Sequence, residues 1–214
     1  MPFKTTGKTN DYIRSRLAEE KDELLREMTA YADDNFIPVL LPESAALLKQ
    51  IVMLIRPEKS LEIGTAIGYS SQLILKNGGK KLYTLEIKEE LIEKAKEYFA
   101  RAGLDKRVTC YHGDASEILP LMDGEFDFIF MDGPKTRYID YLPHVKRMLK
   151  KGGVLLCDNV LFNGMVAGTE EFQRKKATII NGLDRFITAI CNDEDFETSV
   201  LPVGDGMSLS IKVK

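Results

Sequence analysis

Between residues 58 and 157 short apolar runs alternate with longer segments, and each run stops on a small or acidic residue. The runs are 59–63 (KSLEI), 81–86 (KLYTLE), 107–112 (RVTCYH), 126–131 (FDFIFM) and 153–157 (GVLLC). Between them apolar residues return at helical spacing. Leu91, Ile92, Ala95, Tyr98, Phe99 and Ala102 form one stripe, and Tyr138, Tyr141, Leu142, Val145, Met148 and Leu149 another. A third, Ile179, Ile180, Leu183, Phe186, Ile187 and Ile190, follows the fifth run. Strands alternating with helices predict βαβ units and a mostly parallel sheet covered on both faces. The end differs: 197–202 and 207–213 are separated by little more than VGDG, and Asp205-Gly206 is a hairpin signal. The last pair is therefore antiparallel, and a reversed strand closes the sheet. The expected fold is α/β and Rossmann-like, with seven strands in a single domain over 1–214. Residues 1–56 read as an N-terminal helical extension on the same core, with Leu24, Leu25, Met28, Tyr31 and Ala32 on one face. Pro38 and Pro42 break it before a helix carrying Leu47, Leu48, Ile51 and Ile55. A dimer contact or a lid over the site is open to this extension.

A chain of 214 residues suits one such domain. No run approaches the length of a membrane span, and the start, MPFKTTGKTNDY, lacks a signal-peptide core. Cys110, Cys157 and Cys191 are too few and too scattered for a disulfide framework or a zinc site. The expectation is a soluble, reduced, cytoplasmic protein. Lys and Arg number 30 against 33 Asp and Glu, so the net charge of −3 carries no global signature of nucleic-acid binding. Basic clusters at Lys146-Arg147 with Lys150-Lys151, and at Arg174-Lys175-Lys176, read first as solvated helix faces and ends.

In open α/β sheets ligands bind at the carboxyl ends of the strands. After the first strand stands Glu62-Ile63-Gly64-Thr65-Ala66-Ile67-Gly68-Tyr69-Ser70, whose glycines allow a tight turn and a close approach to a ligand. Its G-x-x-x-G spacing departs from the dinucleotide fingerprint and from the P-loop. That departure leaves a nicotinamide-dependent dehydrogenase only a remote alternative. The second strand ends at Glu86, which can accept both hydroxyl hydrogens of a ribose. The third ends at Gly113-Asp114-Ala115, where a small residue permits close approach and a polar one can meet an adenine edge. Together these favour an adenosine-containing ligand. The next two strands end at Asp132, with Lys135 three residues on, and at Asp158-Asn159. By itself Asp158-Asn159 could be a helix-capping turn. Beside Asp132 and Lys135 it makes a hard-cation site of the Mg²⁺ type, two carboxylates and one amide oxygen. His112 and His144 stand apart from these strand ends, which leaves Lys135 as the candidate base. A lysine near a cation and a sulfonium has its pKa lowered, as base chemistry requires.

LEIGTAIGYSS, Glu86, GDA, FDFIFMDGPK, CDNVLFNGMVA and LPVGDGMSLS together resemble the cation-dependent O-methyltransferases that use S-adenosylmethionine, a family that includes catechol and caffeoyl-CoA methyltransferases. The likeness covers nearly the whole chain and implies a seven-stranded class I methyltransferase fold. It implies a cofactor site drawn from Val39, Glu62, Gly64, Thr65, Gly68, Ser70, Glu86, Gly113, Asp114, Ala115 and Asp132. It also implies Mg²⁺ at Asp132, Asp158 and Asn159, proton removal by Lys135, and a homodimer. Within the family NDYI, IP at 37–38, EIGTAIGYS, DNVLF-x-G-x-VA and the basic run before the last long helix are similar to a bacterial subgroup. Those enzymes methylate 5-hydroxyuridine at the tRNA wobble position. That likeness implies tRNA as partner, with Arg174, Lys175 and Lys176 on its phosphates; a small catechol-type substrate is the alternative. One departure is Gly133-Pro134, where proline stiffens the turn leading to Lys135.

Overall fold

The computed structural model describes residues 7–171 and 173–214. Its centre is a seven-stranded sheet: β1 (Lys59–Ile63), β2 (Lys81–Glu86), β3 (Val108–His112), β4 (Phe126–Met131), β5 (Leu149–Cys157), β6 (Phe196–Leu201) and β7 (Met207–Lys212). The order across the sheet is β3-β2-β1-β4-β5-β7-β6. β1 to β5 are parallel, and β7 runs antiparallel to both β5 and β6. The reversed strand therefore does not close the sheet at its edge. It is inserted between β5 and β6, antiparallel to both. β5 also starts earlier than its apolar core, at Leu149, with a shift of register against β4.

Eight helices flank the sheet among the described residues: α1 (Gly7–Arg14), α2 (Glu23–Asp34), α3 (Pro42–Ile55), α4 (Tyr69–Lys76), α5 (Glu89–Arg101), α6 (Ala115–Leu121), α7 (Tyr138–Met148) and α8 (Ala177–Cys191). Strand alternation sorts the core into two layers. Phe128, Phe130, Val154 and Leu156 point to one face, under α2 to α5. Leu61, Ile63, Ile129, Met131, Leu155 and Cys157 point to the other, under α6 to α8. The three apolar stripes read from the sequence are the buried faces of α5, α7 and α8. Among the described residues no helix is long and apolar enough to cross a membrane.

From Gly7 on, the described part of the N-terminal region is three helices, residues 1–6 of the expected extension lying outside the described residues. The break before α2 was not visible as a proline; Asp22 makes it, its side chain capping the Leu24 and Leu25 N–H groups at 3.0 and 3.2 Å. Pro42 opens α3 at a position where its missing N–H costs nothing. α1 is tied down by a bidentate pair, the Arg14 guanidinium donating to the buried Glu43 carboxylate at 2.8 and 2.7 Å. Asn10 Nδ2 donates to the Gly204 carbonyl at 3.2 Å, so α1 also grips the β6–β7 loop. Removing the arginine strands a buried carboxylate. Arg14→Ala is expected to lower stability by about 2 kcal/mol, and adding Glu43→Gln to recover most of it. Urea unfolding of both variants reads this; an unchanged midpoint for Arg14→Ala would show that water already solvates Glu43.

Candidate active site

A backbone hydrogen bond just past the ends of β1, β3, β4 and β5 carries the sheet's order into the loops. Gly64 N–H donates to Leu85 O at 3.0 Å, Gly113 N–H to Glu86 O at 2.9 Å, Asp132 N–H to Ile63 O at 2.9 Å and Asp158 N–H to Met131 O at 3.1 Å. The residues singled out at the strand ends are thus held in one row, and they line one cavity of about 670 Å³. Val39, Gly64, Thr65, Ser70, Glu86, Gly113, Asp114, Ala115, Asp132, Lys135, Asp158 and Asn159 all face it. Its size suits a cofactor with part of a substrate.

Two of the expected cofactor residues do not reach the cavity. Gly68, at φ +82, starts α4 and backs onto the Phe99 ring. Glu62 is wholly buried behind the glycine turn, accepting hydrogen bonds from Ser70 Oγ and Thr84 Oγ1 at 2.6 Å each, and from Ser71 Oγ. The alternation of β1 turns its side chain inward, so it braces the loop instead of meeting a ligand. The first turn needs glycine for a steric reason: at Gly64, with φ +102, a Cβ would stand 2.5 Å from the Asp132 carbonyl oxygen.

On the β2–β3 side of the cavity, Glu86 uses one oxygen to hold Ala66 N–H at 2.8 Å and the other to hold Lys88 N–H at 3.0 Å. A carboxylate has about four lone-pair sites, so it retains acceptor capacity toward the cavity. Asp114 caps α6 through Ser116 N–H at 2.7 Å, and this hydrogen bond holds its carboxyl below the ordinary range. Residues Ile37 to Leu41 form the facing wall, so the N-terminal extension contributes to the site as well as to the core.

On the other side, Asp158 is 2% exposed, and burial, with the Asp132 charge second, pushes its carboxyl up. Its Oδ1 accepts from Asn159 N–H at 2.8 Å. Among the described residues its Oδ2 has no partner. Lys135 reaches Asp132 despite the stiff Gly133-Pro134 turn, its Nζ bonding Asp132 Oδ1 and donating to Tyr138 Oη at 3.0 Å. Tyr138 is fully buried; its hydroxyl lies 3.0 Å from both the Met131 and the Asp158 carbonyl oxygens, which tie it to the ends of β4 and β5. Sequence reasoning placed it in a core stripe and missed this role; the only hint was a tyrosine three residues after Lys135. Asn163 and Asp205, which also line the cavity, were missed because their loops carry no strand-end signal. Burial raises the Asp205 carboxyl above its ordinary value. Four non-glycine residues in the site's loops, Ala66, Asn159, Phe162 and Asn163, have φ between 46° and 56°, strain of the kind that collects at functional sites.

Among the described residues no group of three or more His, Cys, Asp or Glu side chains is arranged for a metal. The donor set available is instead Asp132 and Asp158 with the Asn159 amide, hard oxygen donors whose second carboxylate oxygens and amide make no hydrogen bond among the described residues. That chemistry fits a small divalent cation. Of the basic run, Arg174 and Lys175 are exposed, and Lys176 Nζ lies 5.1 Å from the Phe162 ring centroid, beside the loop that follows Asn159. In the other basic cluster three of the four residues pair with acids: Lys146 with Asp193 and Asp195, Arg147 with Asp123, and Lys150 with Asp127.

Burial raises the Glu62 carboxyl from 4.5 to about 7. Between these values the folded chain keeps a proton that the unfolded chain has released, so this group's contribution to stability is lost as pH rises through the window. Glu62→Gln, neutral throughout, is expected to gain on the wild type by roughly 2 kcal/mol between about pH 5 and pH 8. Thermal unfolding at several pH values checks it, and a constant difference would mean that Glu62 is ionised in the fold.

Comparison with known proteins agrees with this geometry. The sequence profile of the family described as O-methyltransferase matches residues 14–213. Caffeoyl-CoA O-methyltransferase 2 of Populus trichocarpa is 31% identical over 204 residues, covering 89% of this chain and 81% of the plant protein. A probable caffeoyl-CoA O-methyltransferase 2 of Dictyostelium discoideum is 28% identical, covering 95% of this chain and 93% of its own. The O-methyltransferase TomG of Streptomyces achromogenes, solved in complex with S-adenosylmethionine, superposes with a TM-score of 0.82 at 25% identity, covering 97% of this chain and 96% of TomG. With the fold, the row of strand-end residues and the profile match in agreement, this chain belongs to the S-adenosylmethionine-dependent O-methyltransferase family of the caffeoyl-CoA type.

Proposed function

We propose that this enzyme methylates a hydroxyl that has a second oxygen on the neighbouring carbon, in a Mg²⁺-dependent reaction, and that its substrate is 5-hydroxyuridine of tRNA. The observation that carries the reaction is the meeting of Asp132, Lys135, Asp158 and Asn159 in one cavity with Gly64, Glu86 and Asp114. Val39, Gly64, Thr65, Ser70, Glu86, Gly113, Asp114 and Ala115 would hold the cofactor, and Asp132, Asp158 and Asn159 the cation. When bound, S-adenosylmethionine supplies an activated methyl group and the cation supplies Lewis acidity to paired substrate oxygens. The chain's own residues do the rest. Lys135, steered by Asp132 and the Tyr138 hydroxyl, takes the proton of the substrate hydroxyl. Tyr138 fixes the spacing of the β4 and β5 ends on which the cation donors stand, and the 37–41 wall keeps the two reactants together.

Support for an RNA substrate comes from the rim. Lys88 and Arg137 line the cavity, and the exposed Arg174 and Lys175 stand just before α8, next to Lys176 against Phe162. A small catechol-type substrate is the second reading, favoured by relatives named caffeoyl-CoA O-methyltransferases. Both substrates offer a hydroxyl beside a second oxygen, so the cation donors do not separate them.

Incubation with Mg²⁺ and labelled S-adenosylmethionine, with tRNA lacking the final methyl and in parallel with a simple catechol, tests the substrate. Label in tRNA that falls steeply with added salt is expected; label in catechol alone would make this a small-molecule enzyme. Asp158→Ala is expected to lower turnover on the order of 100-fold or more while S-adenosylmethionine still binds, and full activity in excess chelator would refute the cation site. Lys135→Ala is expected to leave both ligands bound and lower kcat about 100-fold or more; an unchanged kcat would remove it as the base.

A further inference from the structure

Along the carboxyl edge of the sheet the order is Asp114, Glu86, Gly64, Asp132, Asp158 and then Asp205, which stands just before β7. The first three lie on the cofactor side and the next two hold the cation donors. The cavity that Asp132 and Asp158 line also reaches the β6–β7 loop. Asp205 is the carboxylate waiting there, half-buried and facing the same cavity.

Its position is built rather than incidental. Val160 N–H donates to Gly206 O at 2.9 Å and Leu161 N–H to Asp205 O at 3.1 Å, so the hairpin loop is laced to the segment that follows Asn159. The contact is close enough that a Cβ on Gly206, at φ +85, would stand 2.3 Å from Leu161 Cγ. Asp205 Oδ1 accepts from Asn163 N–H. Among the described residues Oδ2 has no hydrogen-bond or ion-pair partner, although a half-buried acceptor without a partner is costly. Nor do Asp132, Asp158 and Asp205 form a three-carboxylate metal group. Asp205 is held beside the cation donors without joining them.

We infer that Asp205 Oδ2 is a specificity-determining acceptor that reads a ring N–H next to the cation-facing carbonyl of the substrate. This rests on the uridine reading above. A 5-hydroxyuracil ring presents hydroxyl, carbonyl and N–H on consecutive atoms, and the N–H follows the carbonyl in the direction of β7. A catechol has a C–H at that place and leaves the carboxylate unsatisfied, so the site discriminates through an unpaired, half-buried acceptor.

Asp205→Asn isolates the role. The carboxamide oxygen still accepts from Asn163 N–H, so the loop keeps its anchor, while the other position changes from acceptor to donor. The experiment compares kcat/KM for an anticodon stem-loop carrying 5-hydroxyuridine with one carrying its 3-deaza analogue, in which C–H replaces the ring N–H. The wild type is expected to prefer the N–H substrate about 10- to 100-fold. Asp205→Asn and Asp205→Ala are expected to lose most of that preference, with S-adenosylmethionine affinity unchanged. Turnover of 5-hydroxyuridine by the wild type without such preference would overturn the role of Asp205 and leave the substrate reading standing. Equal losses on both stem-loops in Asp205→Asn would do the same, since the residue would then only anchor its loop. If the wild type methylates catechol and neither stem-loop, the substrate reading fails and this inference falls with it.

Discussion

The site depends on a repeated backbone contact, a hydrogen bond from the first loop residue after a strand to a carbonyl at the end of the strand beside it. Gly64, Gly113, Asp132 and Asp158 each make it. Backbone N–H and C=O groups leaving a buried sheet must find partners. Satisfying them this way extends the sheet's register by one residue into the loops. The loops can then vary in sequence while their first residues stay aligned. Two carboxylates, at Asp132 and Asp158, are brought together by a geometry that belongs to the strands rather than to themselves.

Bringing like charges together in a poorly solvated place raises the free energy of both, which the upward shift at Asp158 reports. Lys135 offsets part of this at Asp132. Tyr138 supplies the geometry that lets it: its hydroxyl lies between the ends of β4 and β5 and under Lys135, and its ring packs edge-on against Phe186 of α8, 5.4 Å between centroids. Lys135 is therefore positioned by a core side chain. A second buried carboxyl, Glu62, plays the same supporting part for the glycine turn through three hydroxyls, without reaching the cavity.

The far end of the site has a different construction. It is assembled from two loops, 160–168 and 203–206, and from the hold of α1 on Gly204 through Asn10. Strained φ angles at Asn159, Phe162 and Asn163 show that this segment is shaped by its contacts more than by its own preferences.

Much of the fold was legible in the chain because its cause is local. Continuous apolar runs separated by helical stripes admit few arrangements besides a parallel sheet covered on both faces, and Asp205-Gly206 announced the hairpin. The strand-end residues from Gly64 to Asn159 were legible for the same reason, since a parallel sheet puts all its carboxyl ends on one edge. Periodicity says which face of a strand is buried but not what stands opposite. It therefore could not show that Glu62 turns away from the cavity, that β7 is inserted between β5 and β6, or that Tyr138 reaches the site from the core. Nor could it bring Asp205 beside Asp158, 47 positions earlier in the chain. Those pairings are decided by strand order and loop-to-loop hydrogen bonds, long-range contacts that leave no period in the sequence.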